Sequence, residues 1–239
     1  MAYCRLYEQE AVRATVGPAI RPGGFALTDW AVKFCGFPKG ARIADIGCGC
    51  GATVGHLRKM YQLEASGADM SALLLAEGRQ ASALPLIRAS ADALPYGNGV
   101  MDGLFCECVL SILPDPETAL GEFYRVLKPG GCLVLSDIYL RQPPADNRLK
   151  ELPVISCFTS AVSEDARIAQ VRAAGFRILL WEDHTRLLKE MAAQFVFEHG
   201  SLQEFWAQML PCGCAGETAA AIREAKPGYY LMVARKGAG

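Results

Sequence analysis

Asp45-Ile46-Gly47-Cys48-Gly49-Cys50-Gly51 lies between a short apolar run, Arg42–Ile46, and a stretch with helical spacing over residues 53–61. Glycines at alternate positions let the backbone turn tightly and bring N–H groups close to a ligand. A strand that enters such a turn and a helix that leaves it make the first half of a β-α-β unit. The alternation continues outward from this stretch. Residues 63–68 read as a second strand, Ser71 caps a helix through Gln80, and residues 84–89 read as a third strand. Residues 103–110 follow as a fourth strand, with residues 117–127 as a helix whose apolar positions Leu120, Phe123, Val126 and Leu127 recur at helical spacing. Lys128-Pro129-Gly130-Gly131 ends that helix, and residues 132–137 form a fifth strand. The expected fold class is therefore α/β with a mainly parallel sheet.

The acids around the loop indicate what it holds. Asp45 stands two residues before the first glycine, where a carboxylate suits a cationic group better than a pyrophosphate. Asp69 ends the second strand, 18 residues after Gly51, and an acid there can accept hydrogen bonds from both hydroxyls of a ribose. Ser90-Ala91-Asp92-Ala93-Leu94-Pro95 follows the third strand and places an acid where an adenine amino group would lie. Gly47, Gly49 and Ala52 also satisfy the dinucleotide pattern, so an NAD(P)-dependent oxidoreductase is an alternative on the loop alone. Tyr124 and Lys128 have the Tyr-x-x-x-Lys spacing but sit in the helix end before Pro129, and no positioned histidine follows the loop, which disfavours it.

The run from Arg21 to Asp137 resembles the class I S-adenosylmethionine-dependent methyltransferases, in particular the ubiquinone/menaquinone-biosynthesis C-methyltransferases. The matching pieces are Ile43 to Gly51, Ala68-Asp69-Met70-Ser71, Ala91 to Tyr96, and Leu127 to Leu133. The resemblance implies a Rossmann-like, seven-stranded, mostly parallel sheet with helices on both faces and an antiparallel last strand at residues 229–234. It implies S-adenosylmethionine as cofactor, with S-adenosylhomocysteine as product. By the same carry-over the cofactor set is Asp45, Gly47, Cys48, Gly49, Gly51, Asp69, Met70, Asp92, Ala93 and Cys106. Gly47 and Gly49 approach the methionine part, Asp69 holds the ribose, Met70 and Ala93 flank adenine, Asp92 binds its amino group, and backbone at Cys106 faces the ammonium.

Composition narrows the acceptor. Lys+Arg 24 against Asp+Glu 25 gives a net charge of −1, so no basic excess suggests nucleic acid or an anionic membrane as partner. The longest uncharged runs, 152–163 and 205–216, are 12 residues each and too short to span a bilayer. With no apolar leader at its start, the chain is expected to be cytoplasmic. At 239 residues and 51% hydrophobic content it has enough chain to bury a real core. The expected organisation is one domain over 1–239: an N-terminal helical lid (1–40), a cofactor-binding core (41–140), and a substrate-side part (141–239). Tyr3, Tyr7 and Arg21-Pro22-Gly23-Gly24 fall in the lid.

Ten cysteines are scattered along the chain, with no Cys-x-x-Cys pair and only three histidines, so neither a disulfide framework nor a structural zinc site is expected. Cys-x-Cys recurs three times: Cys48/Cys50, Cys106/Cys108 and Cys212/Cys214. Strand alternation is expected to place Cys106 and Cys108 on one face, with Cys108 near the substrate pocket. Residues 106–111, Tyr124 to Leu127, Ser136 to Tyr139, and Cys157 followed by residues 173–176 resemble arsenite methyltransferases. That resemblance implies a thiophilic acceptor held by thiolates, with Cys108, Cys157, Cys212 and Cys214 as substrate-binding candidates. The further cysteine of that family has no counterpart at matching spacing. C- or O-methylation of an ordinary small metabolite is an alternative, as is a non-catalytic nucleoside-binding domain. Cys35 and Cys132 read as small buried hydrophobes. Trp181, Phe195, Phe197, Phe205 and Trp206 make an apolar C-terminal region that suits core packing, a substrate cover or a homodimer contact.

Overall fold

The computed structural model describes residues 4–9, 12–13, 17, 19–146, 148–210 and 213–237. In chain order the elements are β1 (Cys4–Arg5), α1 (Ala26–Cys35), β2 (Arg42–Ile46), α2 (Ala52–Tyr61), β3 (Glu64–Asp69), α3 (Ala72–Ala81), β4 (Leu86–Arg88), β5 (Met101–Glu107), α4 (Pro116–Val126), β6 (Leu127–Leu140), β7 (Val154–Ile155), α5 (Glu164–Ala173), β8 (Phe176–Asp183), α6 (Thr185–His199), α7 (Leu202–Met209), α8 (Ala215–Glu224) and β9 (Pro227–Lys236).

Seven strands form one sheet in the order β4-β3-β2-β5-β6-β9-β8. β2 pairs in parallel with both β3 and β5, and β5 with β6. β9 inserts between β6 and β8 and runs antiparallel to both. The order reverses at β2, so the loop after β2 opens beside the crevice that such a switch point creates. Along the strands side chains alternate between two cores. Phe105, Val134, Tyr229, Leu231 and Val233 face one core, which α1, α2, α6 and α7 close. Leu104, Cys106, Leu133, Leu135, Tyr230 and Met232 face the other, which α4 and α5 close.

Helix starts are chemically marked. Ser71 Oγ accepts from Leu74 N at 3.2 Å to begin α3, and Asp115, Ser163 and Ser201 cap α4, α5 and α7 in the same way. α2, like α1, α6 and α8, has no side-chain cap: its N-cap is Gly51 at φ +82°, so its first N–H groups take no side-chain partner there.

One strand starts earlier than its sequence reading, and two further features shape the rest of the fold. β6 runs from Leu127 rather than 132, because Met101 already pairs with Leu127 before the register shifts to Gly103 against Cys132. Residues 185–209 form two helices, α6 and α7, with the break falling at Gly200, which takes φ +85°, and Ser201 capping anew. β1 and β7 make a small parallel pair, Cys4 with Val154 and Arg5 with Ile155, which ties the N-terminal segment to the stretch after β6.

Candidate active site

A cavity of about 740 Å³ opens beyond the carboxyl ends of β2, β3 and β5. Its lining includes Asp45, Gly47, Cys48, Gly49, Asp69 and Met70 from the sequence-predicted set, together with Ala52 and Thr53 at the uncapped start of α2. The loop must pack this tightly: Gly47 has φ +74°, and a Cβ there would fall 2.1 Å from Val109 Cγ2. Gly78 of α3 lets the helix approach the loop, since a Cβ would meet the Cys50 carbonyl oxygen at 2.3 Å. Asp69 braces the loop from the other side. Its Oδ2 accepts from Gly49 N at 2.8 Å and its Oδ1 from Ser71 N at 2.7 Å.

Behind the loop is a buried polar network that sequence reading missed. Arg21 and Glu107 form an ion pair at 3.1 Å with side chains only 8% and 2% exposed. Thr28 Oγ1 donates to Glu107 Oε1 at 2.9 Å, and Arg21 donates to Thr28 Oγ1 at 2.7 Å and to Thr53 Oγ1 at 3.0 Å. Arg21 and Glu107 both line the cavity. Asp45 is buried close to them, and loss of solvent together with the Glu107 and Asp69 charges pushes its carboxyl up to about 8 despite Arg21. Glu8, Asp45, Asp69 and Glu107 against Arg13 and Arg21 leave the cavity with an excess of acids, which suits a cationic ligand.

A second, smaller cavity of about 150 Å³ adjoins the first and shares Tyr7, Ile20 and Cys108 with it. Its walls are nearly all carbon: Ile138, Phe158, Leu188, Met191, Phe195, Phe205 and Trp206. Cys157 lines it too, so the Cys108 and Cys157 side chains border the same pocket. The neighbouring Cys157 thiol and burial push the Cys108 thiol up. Tyr7 Oη accepts from Cys157 N at 3.0 Å, and Tyr229 Oη lies 3.5 Å from Cys108 Sγ. The N-terminal segment thus forms part of the wall between the two cavities. Tyr3 lies outside the described residues.

Several predicted residues stand elsewhere. Cys106 and Cys108 do not share a face. Cys106 packs into the α4 side of the sheet, whereas Cys108, just past the end of β5, takes φ +57° and turns into the opposite core. Left-handed backbone breaks the two-residue alternation. Cys106 and Gly51 do not line the cavity, and neither do Asp92 and Ala93. A tight turn with Ala93 N donating to Ser90 O at 3.2 Å leaves both exposed, while Ser90 and Ala91 line the cavity in their place. Cys212 lies outside the described residues, and Cys214 is disulfide-bonded, which the scattered spacing did not lead one to expect. Neither Trp181 nor Phe197 joins the apolar pocket: Trp181 stacks on Tyr230 across the sheet and Phe197 is exposed. Among the described residues no group of three or more His, Cys, Asp or Glu is placed to hold a metal ion, and no helix is long and apolar enough to cross a membrane.

An open α/β sheet in this strand order, with a glycine loop at the switch point and an acid ending the next strand, defines a nucleoside-binding domain of the Rossmann-like kind. Residues 44–135 match the family model described as a methyltransferase domain. The chain is 31% identical to the trans-aconitate 2-methyltransferase of Azoarcus sp. (strain BH72), over 62% of this chain and 58% of that one. Among solved structures it is similar to the [4+2]-cyclase SpnF, with 26% identity, 89% and 80% of the two chains covered and a TM-score of 0.71. It also shares its fold with Haemonchus contortus phosphoethanolamine N-methyltransferase 2 in complex with S-adenosyl-L-methionine, at 18% identity, 95% and 56% coverage and a TM-score of 0.73. The chain spans about half the length of the curated relatives it matches. Over residues 44–135 it is similar to the methyltransferase domain of such S-adenosylmethionine-dependent enzymes.

The residues present fit that cofactor. The cavity volume lies within the range of small-ligand sites, the loop admits no Cβ at Gly47, and the acids match a sulfonium and an ammonium. Gly47 and Gly49 would approach the methionine part, Asp69 the ribose, and Met70 with Ala89 to Ala91 would border the base. The raised Asp45 carries a consequence for pH. A cation close by favours the carboxylate, so binding S-adenosylmethionine below about pH 8 should expel a proton from Asp45. Affinity should rise with pH, by up to about tenfold per unit, and level off above pH 8. Calorimetry at pH 7 in two buffers of different ionisation heat reads the released proton directly. An affinity flat from pH 6 to 8 would remove Asp45 as the partner of the cation.

Proposed function

We propose that this chain transfers a methyl group from S-adenosylmethionine to a small-molecule acceptor seated where the two cavities meet, with Cys108 and Cys157 holding a soft, thiophilic centre such as arsenite. The observation that carries this reading is the pair of thiols at the apolar pocket, Cys157 within it and Cys108 on the wall it shares with the cofactor-sized cavity. When bound, S-adenosylmethionine supplies an electrophilic methyl whose C–S bond breaks with the electron pair left on sulfur.

The chain's own residues supply capture, dryness and orientation. Two neutral thiols condense with arsenous acid to give a dithioarsenite and two waters, so the thiol protons leave as water and no net charge is buried. Arsenic keeps its lone pair, which is the nucleophile. Soft sulfur ligands suit such a centre. Ile20 and the carbon walls around Cys157 exclude water, and Tyr7 Oη fixes the Cys157 backbone at 3.0 Å. No dedicated base is required for an acceptor that is already electron-rich.

Cys157→Ser should lower the rate of S-adenosylhomocysteine formation with arsenite about tenfold, equivalent to about 1.4 kcal/mol of lost acceptor fixation, while its calorimetric affinity for S-adenosylhomocysteine is unchanged. Arsenite turnover equal to wild type would end the metalloid reading. The carbon lining of the second cavity supports a second reading, C- or O-methylation of an apolar metabolite, and that reading survives if apolar alcohols or enols turn over and arsenite does not. Because a similar fold serves a [4+2]-cyclase, turnover rather than binding decides between them.

A further inference from the structure

Ser111 and Asp137 are wholly buried and line neither cavity, yet they stand where the walls of the two are joined. Asp137 lies on β6, and its carboxylate holds the turn that follows β5. Oδ2 accepts from Ser111 N at 2.8 Å, and Oδ1 accepts from Ser111 Oγ and from Ile138 N, the latter at 2.7 Å. The one remaining polar atom of Ser111, its carbonyl oxygen, accepts from Ser160 N at 2.9 Å. Cys108 N donates to Ser136 O at 2.7 Å, so β6 holds this turn at both ends.

The turn is one wall of the cofactor cavity. Cys108, Val109, Ile112 and Leu113 line it, and Val109 is the side chain that a Cβ on Gly47 would strike. The segment that reaches Ser160 is a wall of the other cavity, where Cys157 and Phe158 line the apolar pocket. That segment is stiffened by its own bonds. Ser156 N donates to Thr159 Oγ1 at 3.1 Å, Thr159 N to Ser156 O at 2.9 Å, and Thr159 Oγ1 to Val154 O at 3.2 Å. A stiff turn hung on Ser111 follows Ser111, the kind of contiguous hydrogen-bonded path along which coupling travels. The path is kept at a cost. Burial pushes the Asp137 carboxyl up, against the Arg167 charge and the donors of Ser111 and Ile138. Arg167 on α5 is itself wholly buried, with Nε and Nη2 unpartnered. Apolar side chains of like size would fill this core more cheaply, so the charges are there for the geometry they impose on Ser111.

We propose that Asp137 and Ser111 are positioning residues that couple the two cavities, so that a ligand in the cofactor cavity orders the turn bearing Cys157 and Phe158. Their use, fixing the acceptor against the methyl group, rests on reading the apolar pocket as the acceptor site; the coupling itself is measured without any acceptor. Tyr7 offers a second route, since it lines the cofactor cavity and accepts from Cys157 N at 3.0 Å. Removing the Ser111 path separates the two.

The test is hydrogen–deuterium exchange of the reduced full-length protein, read by mass spectrometry with and without S-adenosylhomocysteine at a saturating level set by calorimetry for each variant. In wild type the ligand should slow exchange at 157–160, which do not line the cofactor cavity, as well as at 108–113. Ser111→Ala keeps the backbone bonds and is the milder change. In it, both segments should exchange about tenfold faster, the size expected for losing a hydrogen bond to a buried charge. The ligand should then still slow 108–113 but no longer 157–160. Asp137→Asn should act in the same direction and more strongly; if it does not fold, Ser111→Ala decides. Ser163→Ala removes the cap of α5 outside this path, so it should quicken exchange yet keep the ligand's effect at 157–160. No slowing at 157–160 in wild type, slowing retained there in Ser111→Ala, or slowing lost in Ser163→Ala as well would each overturn the coupling.

Discussion

Asp69→Ala should weaken binding of S-adenosylhomocysteine by about 100- to 10,000-fold, because hydrogen bonds to a charged group contribute about 1.5–3 kcal/mol each and two would be lost to the ribose. The carboxylate has capacity for them. Each oxygen already accepts one backbone N–H, from Gly49 and from Ser71, and retains a second lone pair. Removing it also frees Gly49 N, so the loop loses its brace as well as its ligand contact. Asp69→Asn separates the two effects. It keeps the shape but offers one acceptor oxygen in place of two, so it should fall between wild type and alanine. The measurement is calorimetric titration of reduced protein with S-adenosylhomocysteine and, in parallel, NADH. Micromolar binding of the former surviving in Asp69→Ala would mean that the ribose is held elsewhere. Binding of NADH alone would contradict the cofactor assignment at its base.

What could be read from the sequence was local. The turn at Gly47 needs positive φ and close approach, so its residue types mark it without knowledge of the rest of the fold, and Asp69 follows at the distance one helix and one strand impose. Ser71 and Ser163 announce their helices by the same local chemistry. The other half of the site is made by partners far apart in the chain. Arg21 reads as part of a Pro-Gly turn and Thr28 and Thr53 as ordinary helical residues; only the folded sheet brings them onto Glu107. Cys108 was placed on the wrong face because alternation assumes extended backbone, and φ +57° cannot be seen in a run that otherwise looks like strand. Its meeting with Cys157 and Tyr7 depends on the β1–β7 pair, two residues per strand, too short to leave a periodic trace.

Arg21→Met should destabilise the fold by about 3–5 kcal/mol at pH 8, the usual consequence of removing one partner from a buried ion pair. Glu107 would then keep Thr28 and Thr53 as hydrogen-bond donors but lose its counter-charge, with the Asp45 carboxyl already destabilised as an anion beside it. The deficit should depend on pH in a defined direction. Without arginine the folded-state Asp45 carboxyl holds its proton more tightly still than the unfolded chain does. Proton uptake then relieves the strain at low pH, and the relief is lost as pH rises through the folded-state values. Urea unfolding should accordingly show a smaller gap between variant and wild type at pH 6 than at pH 8. Glu107→Gln added to Arg21→Met removes the stranded charge and should recover at least about 1–2 kcal/mol, a coupling that two independent surface substitutions would not show. A single-variant loss under about 1 kcal/mol at pH 8 would place this pair with exposed ion pairs, which contribute that little. The recovered double variant still lacks both charges at the cavity. Its affinity for S-adenosylmethionine therefore reports what the pair does for the ligand, separately from what it does for the fold.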